Sequence, residues 1–79
     1  MTFTKQDRLA ALDEAVERAG GIVRFSRALG LTHQAVYDWR KRGWVPIARA
    51  IASEAIFGVP KEKLMEPSLA AALTASDLL

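Results

Sequence analysis

A glycine between two leucines, Leu29-Gly30-Leu31, separates two short amphipathic segments within residues 22–41 of this 79-residue chain. Glycine adopts a positive φ without the steric penalty of a Cβ atom, so Gly30 can end one helix and reverse the chain. Thr32 follows the turn, and its side-chain oxygen can accept from the free N–H groups that open the next helix. The segment therefore predicts a helix-turn-helix whose second helix begins after Thr32.

The residues around this turn also have the sizes that two packed helices need. Ser26 is small, which lets the two helices cross closely. Val36 and Trp39 are three residues apart and should form the buried seam of the second helix, while Leu29 and Leu31 point inward. An ordinary helical hairpin in a small bundle would show the same pattern, so packing alone does not indicate a function.

The remaining sequence is helical in its periodicity, and no stretch alternates as a strand does. Thr4 and Asp7 form an approximate capping box before the first apolar repeat, and Gly20-Gly21 stops that helix. Pro46 suits the first turn of a later helix. We predict an all-α fold, a small four- to five-helix bundle with helices over 5–19, 21–28, 33–42 and 46–57 and a further turn from Pro60 to Met65.

The length supports a single domain. We assign residues 1–67 to a helix-turn-helix domain and residues 68–79 to a C-terminal tail, which is Ala-rich and fits either a last helix or a frayed end. Apolar residues are numerous for so small a core, and a second copy of the chain can cover some of them. They include Phe3, Ile51, Ile56, Phe57, Val59, Leu64, Met65, Leu69, Leu73, Leu78 and Leu79.

Composition excludes several classes of protein. The chain has no cysteine, which rules out disulfides and thiolate metal sites and fits a reducing cytosol. No signal peptide or membrane span is recognisable, so we expect a cytoplasmic protein with no membrane partner. His33 is the only histidine, there is no cysteine to share a metal ion with it, and no serine and aspartate are recognisable as its catalytic partners. We therefore expect no metal, no cofactor and no enzymatic activity.

Positive charge is concentrated in the middle of the chain. Residues 21–49 carry a net charge of +5, whereas residues 1–20 carry −1 and residues 50–79 carry −2. Cations near the carboxyl end of a helix also interact with its dipole, but these are more numerous than that role requires. A one-sided basic patch over a helix-turn-helix indicates double-stranded DNA. We predict phosphate contacts from Arg24, Arg27, Thr32, Arg40, Lys41, Arg42 and Arg49.

The second helix of the motif begins with polar side chains that suit base reading. In helix-turn-helix complexes this end of the helix enters the major groove. Gln34 can contact adenine through two hydrogen bonds, and His33 can donate to a purine acceptor. Tyr37 lies one turn later and can touch a thymine methyl group. We predict these three as base-reading residues. Asp38 can accept from cytosine N4, but we expect it to orient Arg42 at i+4.

Several short motifs occur in a fixed order and close together, namely Gly20-Gly21, Ala28-Leu29-Gly30, Gln34-Ala35-Val36, Trp39, Arg40-Lys41-Arg42 and Gly43-Trp44-Val45-Pro46. An Ala- and Ile-rich segment, residues 47–57, follows them. In this arrangement the chain resembles the Cro/YdaS-type repressors of phages and prophages, which contain a lambda-repressor-like helix-turn-helix. The resemblance covers about residues 10–66 and does not extend into the tail.

The resemblance implies a small transcriptional regulator. We expect a repressor that binds a pseudo-palindromic operator as a homodimer, with one recognition helix in each of two successive major grooves. It also allows an antitoxin, which would bind and neutralise a toxin protein and regulate its own promoter. The neighbouring gene distinguishes the two, because a divergent repressor gene favours the first and a co-transcribed toxic gene favours the second.

Overall fold

The computed structural model describes residues 3–67, which form four α-helices, one 3₁₀ turn and no strand. The helices are α1 (Lys5–Ala19), α2 (Ile22–Ala28), α3 (His33–Arg42) and α4 (Ile47–Phe57), and the 3₁₀ turn spans Lys61–Lys63. The all-α prediction is confirmed. The predicted tail, residues 68–79, lies outside the described residues, and so do the apolar side chains assigned to it.

Two helices begin one residue later than predicted. Gly21 is the N-cap residue of α2 with a φ of 123°, and Pro46 is the N-cap residue of α4 with a ψ of 145°. Both conformations lie outside the helical range, although each carbonyl already accepts the first helical hydrogen bond. Phe25 N–H donates to Gly21 and Ala50 N–H to Pro46, each at 2.9 Å.

α1 begins and ends through local hydrogen bonds that its sequence predicts. Asp7 N–H donates to Thr4 Oγ1 at 3.1 Å, and Thr4 N–H donates to Asp7 Oδ2 at 2.9 Å. The bond from the Thr4 backbone holds the pKa of Asp7 below its usual value, because it stabilises the charged carboxylate. At the other end, Gly20 has a φ of 93° and donates to Glu17. The predicted capping box and glycine stop are confirmed.

Phe25 of α2 lies at the centre of the core. Its ring stacks on Phe57 of α4 with centroids 5.3 Å apart and meets Trp39 of α3 edge-on at 6.4 Å. Trp39 and Val36 are buried, which confirms the seam predicted for α3. The three aromatic rings therefore join three helices. The other buried apolar side chains are those of Ala11, Leu12, Ala15, Leu29, Val45, Ala50, Val59, Leu64 and Met65.

After α4 the chain returns to the loop that precedes this helix. Val45 N–H donates to the Leu64 carbonyl at 2.7 Å, and Leu64 and Met65 are fully buried. The 3₁₀ turn, which lies between α4 and Leu64, is bound to α4 because Lys61 N–H donates to a Glu54 carboxylate oxygen at 2.7 Å. These contacts hold both ends of α4 in place.

The turn between α2 and α3 has the predicted left-handed glycine. Gly30 has a φ of 71°. Its N–H donates to Arg27 at 3.1 Å, and Leu31 N–H donates to Ser26 at 2.8 Å, which is the Schellman arrangement of a helix end. Ser26 is 3% exposed, as expected for a close helix crossing, and its hydroxyl donates to the Val23 carbonyl.

The expected side-chain cap at Thr32 is wrong. Thr32 is the N-cap residue of α3, but its side chain makes no hydrogen bond to the helix. Its carbonyl accepts from Ala35 N–H at 3.2 Å. Because Thr32 is exposed, water can satisfy the first N–H groups of α3, and the side-chain cap is not required.

Substitution of Gly30 tests the left-handed turn. Within residues 3–67, no heavy atom outside Gly30 and its two chain neighbours lies within 4 Å of the position that a Cβ atom would occupy, so the cost of a side chain is conformational. We expect Gly30→Val to lower the free energy of unfolding by about 1–3 kcal/mol. Gly30→Asn is the matched control and should cost less, because asparagine tolerates positive φ. Urea unfolding followed by circular dichroism measures both, and a valine variant as stable as the wild type would contradict the assignment.

Candidate nucleic-acid interface

α3 presents the three predicted base-reading residues on one exposed surface. Val36 and Trp39 face the core, whereas His33, Gln34 and Tyr37 are exposed. The His33 and Tyr37 rings meet edge-on with centroids 6.2 Å apart, and 47% of Tyr37 remains accessible. The structure therefore brings these side chains together at the amino end of α3. We call this set the reading face.

Gln34 is partly oriented by a neighbour on its own helix. Its Nε2 donates to Asp38 Oδ1 at 3.5 Å, which is long for a hydrogen bond. The second amide hydrogen and the carbonyl oxygen stay available. Contact with adenine requires one donor and one acceptor, so Gln34 keeps the capacity for that contact.

The expected pairing of Asp38 with Arg42 is wrong. Asp38 accepts from Gln34 instead, and the Arg42 guanidinium lies over the Trp44 ring, 4.9 Å from its centroid. A guanidinium stacked on an indole gains a cation–π interaction while its edge stays open to solvent. Trp44 is half-buried in the loop after α3, where it holds Arg42 at the carboxyl end of the helix.

The residues predicted to bind phosphate fall into two groups. Arg24 and Arg27 of α2 and Lys41 of α3 are exposed, and within residues 3–67 they make no hydrogen bond or ion pair. We call these three the free cations. Thr32 is exposed at the start of α3 and is likewise open to a ligand. Arg40, Arg42 and Arg49 already have partners within the protein.

Arg40 forms an ion pair between helices. Its Nη1 contacts Oδ1 of Asp13 on α1, and the two side chains remain 42% and 55% exposed. An ion pair this exposed contributes little to stability. Its larger effect is electrostatic, because the Asp13 carboxylate partly neutralises a cation beside the basic region.

Arg49 supports the helix-turn-helix from the neighbouring helix. Its Nη1 donates to the carbonyl of Leu29 at 2.8 Å, and the bond is partly buried. Leu29 is the C-cap residue of α2, so the guanidinium satisfies a carbonyl that the helix leaves free. Sequence reasoning assigned Arg49 to phosphate alone and missed this contact with the turn.

Two further arginines, which the sequence did not single out, bind helix ends in the same way. Arg8 of α1 donates through Nε to the Gly43 carbonyl, the C-cap of α3, at 2.6 Å. Arg18 of α1 donates to the Phe57 carbonyl at the end of α4, at 2.8 Å. The partners lie 35 and 39 residues apart in sequence, so no local signal reveals these bonds.

No protein-family model, curated protein or solved structure matches the chain. The resemblance to Cro/YdaS-type repressors therefore stays a prediction. Over residues 3–67, none of the helices has the length and apolar character needed to cross a membrane. The same residues contain no group of three or more histidine, aspartate or glutamate side chains that could hold a metal ion.

Arg49→Met tests whether Arg49 holds the turn. The variant keeps most of the aliphatic stem but leaves the Leu29 carbonyl without its charged donor. We expect a loss of about 1–3 kcal/mol in the free energy of unfolding. Arg27→Met removes an exposed cation from the same region and should change stability by less than about 0.5 kcal/mol. Equal effects of the two substitutions in urea unfolding would show that the contact does not stabilise the turn.

Proposed function

We propose that the chain is a sequence-specific double-stranded DNA-binding regulator of transcription, with α3 as its recognition helix. The observation that carries the proposal is the joint placement of two features. The reading face occupies the amino-terminal half of α3, and Lys41, which has no partner within residues 3–67, lies at its carboxyl end; Arg24 and Arg27 of α2 are likewise unpaired within that range. Base contacts specify a sequence, and phosphate contacts position the protein on it.

The dimensions of α3 suit a major groove. Ten residues give a helix about 15 Å long, and the groove is about 12 Å wide. His33, Gln34 and Tyr37 would meet base edges near the amino end of the helix. Lys41 lies seven residues beyond Gln34, about 10 Å along the axis, where the groove gives way to the phosphate backbone.

The free cations supply the electrostatic part of the proposal. Arg24 and Arg27 lie on α2, the helix that crosses the DNA backbone in helix-turn-helix complexes. Neither forms an ion pair with another described residue. Arg40 is partly neutralised by Asp13, so we assign it a smaller share of phosphate binding than Lys41.

One recognition helix reads only a few base pairs. We therefore propose a homodimer on a pseudo-palindromic operator, with the two helices about 34 Å apart, so that each enters one of two successive major grooves. Such a protein represses by occupying the operator, and it acts in the cytoplasm where the DNA is. The particular operator follows from selection of bound sequences out of random duplex DNA.

The alternative is an antitoxin that neutralises a toxin protein and regulates its own promoter. It is favoured by one observation, which is that three isoleucines of α4 are exposed and available to a protein partner. Co-purification with the product of the adjacent gene separates the alternatives. The DNA-binding surface is the same in both.

Salt dependence tests nucleic-acid binding directly. Each phosphate that a cation neutralises releases condensed counterions, so the logarithm of affinity falls with the logarithm of salt by about 0.9 per contact. Three free cations per copy predict a slope of about −3 for one bound copy and about −5 for a homodimer. Fluorescence anisotropy of a labelled duplex between low and physiological salt gives the slope. A slope near zero, or no binding to any duplex at low salt, would exclude the proposed function.

Two alanine substitutions separate reading from positioning. Gln34→Ala should lose about 1–3 kcal/mol of binding on the selected sequence and little on random DNA. Lys41→Ala should weaken both by similar factors and make the salt slope shallower by about one unit for each bound copy. Circular dichroism checks that both variants fold. If Gln34→Ala weakened random and selected DNA equally, Gln34 would not be a base-reading residue.

A further inference from the structure

The outward side of α4 is apolar along the whole helix. Ile47, Ile51 and Ile56 are 38%, 49% and 53% exposed. Alanines fill the spaces between them, and those at 48 and 55 are exposed as well. Six residues form two rows at i, i+4 spacing on one side of the helix, and we call them the α4 face. They are Ile47, Ala48, Ile51, Ala52, Ala55 and Ile56.

Both charged residues of α4 are turned away from this face. Arg49 donates to the Leu29 carbonyl, and Glu54 accepts from Lys61 N–H and lies 3.6 Å from the Lys61 ammonium. A helix at a protein surface normally turns polar side chains outward, and a helix that is apolar on all sides is a buried one. The α4 face therefore has the character of an interface.

We infer that the α4 face binds the α4 face of a second copy, with the two helices antiparallel about a twofold axis between positions 51 and 52. This inference deepens the proposed function and rests on it for its role, because a pseudo-palindromic operator needs two copies. Among the surplus apolar residues that a second copy can cover, it selects Ile51 and Ile56 of α4.

The pattern of the α4 face is complementary to itself. Reversal about the proposed axis brings position 47 level with 56, position 48 level with 55, and position 51 level with 52. At the centre, Ile51 of each copy lies across the axis from Ile51 of the other, because the twofold rotation keeps each row of the face on the same side of the axis. Toward the ends, Ile47 faces Ala55 and Ala48 faces Ile56, so a large side chain lies on a small one. A twofold interface requires this reciprocity, since residue i contacts j and j contacts i.

The lack of charge on the α4 face favours a second copy, which presents the same uncharged face, over a partner with a charged surface. Each chain has a net charge of +2, but its α4 face is uncharged. Two copies can therefore meet through this face without repulsion between like charges at the contact. The face of one helix falls short of the roughly 800 Å² per partner in a standard interface. We therefore expect a weak dimer in free solution that becomes stable when two adjacent half-sites raise the effective concentration.

A charge placed on the α4 face tests this dimer in the full-length protein. Ile51→Glu should abolish cooperative binding to a duplex with two half-sites and weaken it at least tenfold, because it places two carboxylates near the axis. Ala10→Glu, at an exposed position of α1, makes the same change in net charge and is the matched control. Both variants should bind a duplex with one half-site equally well. Circular dichroism establishes that each variant is folded.

Cysteine cross-linking tests the register, since the chain has no cysteine of its own. Oxidation of an equimolar mixture of Ala48→Cys and Ile56→Cys proteins should give a disulfide-linked heterodimer, because these positions face each other in the proposed pairing. Ala10→Cys should stay uncross-linked at the same concentration. Non-reducing electrophoresis and mass spectrometry identify the products.

The possible results are distinct. Loss of cooperativity in Ile51→Glu alone, together with the mixed disulfide, supports the twofold α4 contact. A monomer on the two-half-site duplex with no cross-linking overturns it. If Ile51→Glu also lowered Tm by more than 10 °C in such a monomer, residues 68–79 of the same chain would be the occupant. If no duplex bound at all, the proposed function would fail, while sedimentation equilibrium and cross-linking would still decide whether the dimer exists.

Discussion

The burial of Phe25 between Phe57 and Trp39 is the interaction on which the arrangement of the helices depends. α2 has only seven residues, and a helix this short is not stable by itself in water. Its position follows from the stacked and edge-on ring contacts of Phe25, which is fully buried. Because Trp39 belongs to α3, the same contact sets how the proposed recognition helix is presented to solvent.

The basic residues of the chain include two groups with different roles, one that binds helix ends and one that is exposed without an internal partner among the described residues. Arg8, Arg18 and Arg49 each donate to a carbonyl at the carboxyl end of a helix other than their own. A charged donor to such a carbonyl stabilises the end and fastens two helices together. These guanidinium groups serve the fold, whereas the cations on α2 and Lys41 have no internal partner among the described residues. A count of charge along the sequence does not separate the two groups.

Most of the fold could be predicted from the sequence, because helix ends depend on residues within a few positions of one another. Thr4 and Asp7 bond to each other, and Gly20 and Gly30 supply the positive φ that ends α1 and reverses the chain after α2. These are local constraints of sterics and hydrogen bonding. The exposed placement of Gln34 followed equally from helical periodicity, once Val36 and Trp39 were assigned to the core.

Tertiary structure decided which side chains were already engaged and which surface stayed uncovered. Arg49 is bound to a carbonyl 20 residues away, and Arg40 to a carboxylate 27 residues away. The central role of Phe25 also depends on rings from other helices. Ile51 was recognised as surplus apolar surface, but its outward direction follows from which side of α4 packs on the rest of the bundle. Sequence alone determined the helices, most of their ends and the buried side of α3; long-range packing decided the partners, since contacts distant in sequence exist only after the helices assemble.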